Sequence, residues 1–141
     1  MNLPDYHIVL AVAAFILYDN KELLIVKKSP HERVDAGLWV VPGGKIKPDE
    51  PILEGLKREV CEEVGITYEN AEWLGEDVFK VENYTFHAEH SLIHLTKKPH
   101  VFLEKKMEGY RWITRAGLND FKMPANLRKR ALFVLDNYSR M

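Results

Sequence analysis

Glu59, Glu62 and Glu63 lie three and four residues apart in the run Arg58-Glu59-Val60-Cys61-Glu62-Glu63-Val64. A helix through this run carries all three carboxylates along one edge. On the same projection Ile52, Leu53, Leu56, Val60 and Val64 form an apolar stripe that should face a sheet, and Glu63 falls inside its arc, between Ile52 and Leu56. The arrangement is costly. Like charges at these spacings destabilise a helix by about 0.2–0.5 kcal/mol per pair. Carboxylates in the last helical turn oppose the helix dipole by roughly 0.3–1 kcal/mol, and desolvating Glu63 adds to this. Arg58, four residues from both Glu54 and Glu62, offsets only part. A solvated acidic face would lie opposite the apolar seam, whereas these carboxylates lie beside it. Such a constellation suits a hard divalent cation held by oxygen, magnesium or manganese. Gly55 projects onto the same edge, where a missing side chain admits another segment or a ligand.

The elements that must position this edge follow from the patterning. Pro51 to Val64 has helical spacing, and Gly65 stands where a C-cap glycine is expected. Upstream, His7 to Tyr18 reads as a strand, Asp19-Asn20-Lys21 as a turn and Glu22 to Lys28 as a returning strand, a hairpin pattern. Ser29 to Gly37 is loop-like, Leu38 to Val41 is a short strand, and Pro42-Gly43-Gly44 ends it. Downstream, Ile66 to Thr96 is strand material broken by polar turns, and Tyr110 to Ile113 is another short strand. Pro124 to Tyr138 is a closing amphipathic helix through Leu127, Ala131, Leu132, Val134 and Leu135. Strands with a central and a terminal helix give an α+β class, helices packed on a sheet.

The central segment resembles the Nudix box: Gly, five residues, Glu, seven residues, Arg-Glu, apolar, any, Glu-Glu, any, Gly, apolar. Gly44, Glu50, Arg58, Glu59, Val60, Glu62, Glu63, Gly65 and Ile66 fill every specified position. Gly37 to Gly43 resembles the family's lead-in strand and loop, and Tyr110-Arg111-Trp112 its late strand. The resemblance implies a Nudix-type α/β/α sandwich with a mixed central sheet over nearly the whole chain. By position it implies metal ligands at Glu59, Glu62 and Glu63 and at the Gly44 carbonyl, an orienting Arg58, and a supporting acid at Glu50. It further implies magnesium-dependent hydrolysis of a nucleoside diphosphate linked to some group X. Glu62 is the first candidate for ligand or water-activating base. Glu104 and Glu108 are candidates outside the box, each also readable as an exposed loop carboxylate.

Substrate clues are fewer. Lys45 is placed to reach a phosphate. Met123-Pro124-Ala125-Asn126 resembles the segment of the MutT branch in which the asparagine reads a purine edge; Asn126 read alone is the N-cap of the last helix. Nucleotide-sugar hydrolases share a similar region, but Met107 stands here where the mannosyl-transferring ones place a catalytic histidine, which favours attack at phosphorus. The expected reaction is conversion of a nucleoside triphosphate, such as a modified purine one, to monophosphate and pyrophosphate. A nucleotide-sugar or dinucleotide hydrolase and a non-catalytic nucleotide sensor are the alternatives. His87, His90 and His94 suggest a zinc reading, against which sheet-surface or cleft histidines are the simpler assignment. Trp39, Tyr84 and Phe86 are candidates to stack a base, Arg128-Lys129-Arg130 reads as a solvated helix face, and Cys61 as an inert helix residue.

Composition sets the outer bounds. The chain has 141 residues, 20 Lys plus Arg against 21 Asp plus Glu, and a formal net charge of −1. That length fits one domain, residues 1–141. The balanced charge argues against a nucleic-acid-binding module. The apolar run Ile8 to Tyr18 is too short to span a bilayer. One cysteine allows no internal disulfide, which points to a reducing, cytoplasmic setting. The expected partner is a small nucleotide, with no nucleic acid or membrane; a homodimer remains open.

Overall fold

The computed structural model describes residues 7–138. Strands β1 (Ile8–Tyr18) and β2 (Glu22–Lys28) are joined by a tight turn in which Asp19 and Asn20 both have positive φ, 52° and 51°. Lys21 N–H closes the turn on the Tyr18 carbonyl at 3.0 Å, and the three-residue loop has the left-handed backbone that suits the twist of the flanking strands. The hairpin is brief: only Leu17↔Leu23 and Tyr18↔Glu22 pair before the strands diverge. The segment after the β2 loop fills the gap. β3 (Trp39–Val40) pairs with β2, and β4 (Gly43–Lys45) pairs with Ala11–Ala13 of β1. The Pro42-Gly43-Gly44 stretch that reads as a strand end is therefore a crossing from one strand to another, with Ala14 N–H donating to the Pro42 carbonyl at 2.7 Å.

On its other edge β1 runs parallel to β6 (Tyr84–Leu95), from Ile8↔Thr85 to Tyr18↔Leu95. β5 (Glu72–Val81) is antiparallel to β6 at the sheet's far edge, and β7 (Met107–Ile113) pairs with β2. The resulting order is β3-β2-β1-β6-β5, a mixed sheet. Phe15, Ile16 and Leu17 of β1 and Leu23, Leu24 and Ile25 of β2 are fully buried, so the core is centred on these two strands.

The helix α1 (Ile52–Val64) ends at Gly65, whose φ of 68° and N–H bond to the Cys61 carbonyl make it a left-handed C-cap. Leu56, Val60 and Val64 are buried as the stripe requires, but Ile52 and Leu53 are exposed. They lie in the first turn, beyond the part of the helix that the sheet covers. Gly55 is closed over by the loop before the helix: a Cβ there would lie 2.3 Å from Ile46 Cδ1. A 3-10 helix, Arg115–Asp120, leads into α2 (Ala125–Tyr138), which buries Leu127, Ala131, Val134 and Leu135. None of the described helices is long and apolar enough to cross a membrane. The fold is α+β, an α/β/α sandwich around a mixed sheet.

Candidate active site

Strand β4 and the last two turns of α1 meet at the candidate site. Glu63 is 8% exposed, and its Oε1 accepts a hydrogen bond from Gly43 N–H at 3.1 Å. Burial pushes its carboxyl up to about 8, assisted by the charges of Glu59 and Glu104 and opposed by the Gly43 bond. Glu59 packs over the next residue, so closely that a Cβ on Gly44 would sit 2.2 Å from Glu59 Oε2. Its carboxyl is also raised, chiefly by burial. Only glycine lets the strand and this carboxylate approach so closely.

Arg58 organises the surrounding acids. Its Nε and Nη2 donate to Glu50 at 2.7 and 2.9 Å, a fork-to-fork pair. Nη1 donates to Glu59 at 2.8 Å and to Glu62 at 3.1 Å, and Nη2 also reaches the Lys45 carbonyl at 3.1 Å. The arginine holds Glu50 down to about 2, helped by Lys47 N–H. Arg58 thus joins helix to loop, and its main acidic partner is Glu50 rather than Glu54. The three glutamates of one helical edge point to three places: Glu62 to solvent, Glu59 onto Gly44, and Glu63 into the interior. Spacing alone left them grouped; Arg58 and the β4 backbone separate them.

The two outlying acids also part company. The last carbonyls of α1 are capped by an extended segment, with Phe102 N–H on Val64 O at 2.9 Å and Glu104 N–H on Glu63 O at 2.8 Å. This brings Glu104 close enough for its charge to raise both Glu59 and Glu63. Glu108 lies on β7, exposed and 3.9 Å from Lys27. All donors at the β4–α1 junction are oxygens, and Glu63 is buried there with a single hydrogen bond, so the residues fit a hard divalent cation.

Gly43, Gly44, Lys45 and Glu63 open onto a cavity of about 430 Å³. Its walls include Phe79, Phe86 and Tyr84 of the β5–β6 hairpin and Asn126 of α2. Phe79 and Phe86 stack with centroids 5.3 Å apart. Trp39 does not line this cavity; it packs edge-on against Phe121. Asn126 lies inside the first turn of α2, not before it, and its Nδ2 donates to Asp77. It is therefore not the helix N-cap. The three histidines go three ways. His94 bonds Asn20 at 2.9 Å, His90 is buried against the cavity, and His87 lies on the opposite face of the sheet. There it meets Glu76 at 2.6 Å and Glu89 at 3.4 Å, forming a His/Glu cluster within ion-pair distance. His90 is thus the cleft histidine of the simpler assignment, whereas Arg130 departs from the solvated face read for Arg128-Lys129-Arg130: it turns inward to donate to His90 Nδ1 at 3.2 Å and to the Leu74 carbonyl at 3.3 Å.

A NUDIX domain family model matches residues 7–133. The chain belongs to the Nudix family. This Nudix domain is 38% identical over 76 residues to the CTP pyrophosphohydrolase of Escherichia coli K12, covering 54% of this chain and 55% of that protein. It is 38% identical over 55 residues to human 8-oxo-dGDP phosphatase NUDT18, covering 39% of this chain and 16% of that one. The matched stretches thus span about half or less of these curated relatives. Among solved structures, the MutT protein of Methanosarcina mazei Go1 superposes with a TM-score of 0.81 at 28% identity, covering 94% of this chain and 96% of that one.

Proposed function

We propose that this Nudix domain is a pyrophosphohydrolase that cleaves a nucleoside triphosphate to monophosphate and pyrophosphate. The observation that carries the reading is the junction itself. Buried Glu63 and half-buried Glu59 lie against Gly43 and Gly44, beside a cavity with aromatic walls. The relatives' printed activities, on CTP and on 8-oxo-dGDP, support a nucleotide as the substrate class.

Within this reading Glu59, Glu63 and the Gly44 carbonyl hold magnesium, or manganese, with Glu62 reaching in from the exposed edge. The cation, when bound, offsets phosphate charge and lowers the pKa of a coordinated water. Arg58 fixes Glu59 and Glu62 through one guanidinium, so both carboxylates are oriented before substrate arrives. Lys45, exposed at the cavity mouth, reaches the phosphates. Glu104 is the better placed of the two bases outside the box, because α1's capped end brings it to the junction while Glu108 sits with Lys27. The Phe79–Phe86 wall offers the base an apolar face, and Asn126 a polar edge.

The test is a panel of nucleoside triphosphates, nucleotide sugars and dinucleotides assayed with magnesium, with products identified. Monophosphate plus pyrophosphate from a triphosphate supports the reading. Products only from a sugar or dinucleotide would replace it with that hydrolase, and saturable binding without product would make the domain a sensor. Glu62→Gln and Glu63→Gln should each cut turnover by orders of magnitude with the fold retained. Near-wild-type hydrolysis in both variants would remove the assignment of these carboxylates.

A further inference from the structure

The proposed reaction makes no use of the His/Glu cluster on the far face of the β5–β6 hairpin. Strand register brings its three members together. Glu76 pairs directly with Glu89, and Val78 with His87, so Glu76, Glu89 and His87 project from one face. Two carboxylates set opposite each other across a strand pair repel. Among the described residues, the ion pairs of both acids are with His87. One imidazole nitrogen cannot serve both equally: Nε2 lies 2.6 Å from Glu76 Oε2 and 3.4 Å from Glu89 Oε1. The side chains of Glu76 and His87 are 55% and 35% exposed, so an ion can reach them from solvent.

The cluster is also supported from behind. Trp73 pairs with Ser91 and Gly75 with His90, which leaves Leu74 as the extra residue of a β-bulge. In a regular strand residues 73 and 76 would point to opposite faces; the bulge puts them on the same one. Trp73 Nε1 therefore donates to Glu89 Oε2 at 2.6 Å, which fixes that carboxylate with its other oxygen toward His87. Outer hydrogen bonds of this kind orient the ligands of metal sites. Arg130 pins the bulge from the opposite face. Its Nη1 donates to the Leu74 carbonyl at 3.3 Å, and a Cβ on Gly75 would lie 2.5 Å from its Nη2.

We infer that Glu76, His87 and Glu89 form a second metal site, separate from the β4–α1 junction, that takes a zinc-class transition-metal ion. Zinc held tetrahedrally by nitrogen and oxygen sets its ligand atoms about 3.4 Å apart. The ligand atoms here all lie within 4.8 Å of one another, so side-chain shifts of about 1 Å close the set. The ion takes the place of the Nε2 proton that now faces Glu76, and water fills the remaining position. The imidazole sorts the metals. The junction offers only oxygens and suits magnesium or manganese, whereas a nitrogen ligand favours zinc. The two sites cannot share an ion. Gly44, Val12, Glu89 and Glu76 form one row across β4, β1, β6 and β5, which puts Gly44 and Glu76 three strand spacings apart, roughly 14 Å. A bound ion offsets the Glu76–Glu89 repulsion and ties β5 to β6 behind the Phe79–Phe86 wall.

Zinc chloride is titrated calorimetrically into the protein with magnesium in excess, and melting is followed with and without zinc. The wild type should bind one zinc per chain and melt at a higher temperature with it. His87→Ala and Glu76→Gln should each weaken binding at least tenfold and lose the melting shift. Trp73→Phe, which keeps all three ligands but removes the bond to Glu89, should weaken it about tenfold. Glu63→Gln should bind zinc as the wild type does. Absence of zinc binding in the wild type, or binding unchanged in both His87→Ala and Glu76→Gln, overturns the inference. Binding lost in Glu63→Gln but kept in His87→Ala overturns it too, by placing zinc at the junction. None of these readouts needs turnover, so a chain that takes zinc here and hydrolyses no nucleotide keeps this site and loses the proposed reaction.

Discussion

Glu63 shows how a residue can be unfavourable in the empty fold and useful to it. Its folded carboxyl titrates near 8 against an ordinary 4.5. The folded protein therefore keeps a proton that the unfolded chain releases, and in that window the unfolded state binds fewer protons. Its contribution to stability is fully present below about pH 4.5 and is lost as pH rises through about 8. In metal-free protein, the melting temperature should fall from pH 5 to pH 8 more steeply than in Glu63→Gln, and the variant should be the more stable at pH 8. Thermal melts across that range check this. Identical slopes would mean the carboxyl is not desolvated. At this scale the sequence was informative about which acids matter, because like charges beside an apolar seam are costly at any tertiary arrangement. It also singled out the buried one, because Glu63 falls inside the apolar arc while Glu62, about 100° away around the helix, does not.

Among the elements, the end of α1 does the most positioning. Gly65 allows the chain to turn at φ 68° while Phe102 closes on it, and the segment from 101 to 104 then caps the helix carbonyls and delivers Glu104. Gly65→Ala would place a Cβ 2.8 Å from Phe102 Cβ in a conformation unfavourable for any side chain. We expect a loss on the order of 1–2 kcal/mol in denaturant unfolding, together with reduced hydrolysis as Glu104 shifts. Unchanged stability would show that the cap is not strained by a side chain. Helix and cap were both legible, because 3.6-residue periodicity and a terminal glycine are local signals. β4 was not. Three residues with two glycines carry no strand propensity, and they pair only because β1 and β2 part and leave the β2-side edge of Ala11–Ala13 open.

Across the whole molecule, β1 is the strand on which the rest depends. It joins β2, β4 and β6, and it pairs with β6 in parallel along its entire length. Phe15 at its centre is fully buried and also touches His90. Phe15→Ala should cost about 3–5 kcal/mol in denaturant unfolding, a loss far above that of any surface change. A cost below 1 kcal/mol would place the core elsewhere. The sequence by itself determined the helices, the hairpin turn and the acid-bearing edge, because periodicity, turn chemistry and charge spacing act within a few residues. Only the tertiary structure decided the parallel β1–β6 pairing, the arrival of Glu104 and the Arg130–His90 contact. Each of these joins residues tens of positions apart, and no local preference encodes which distant strand or side chain will fill the space.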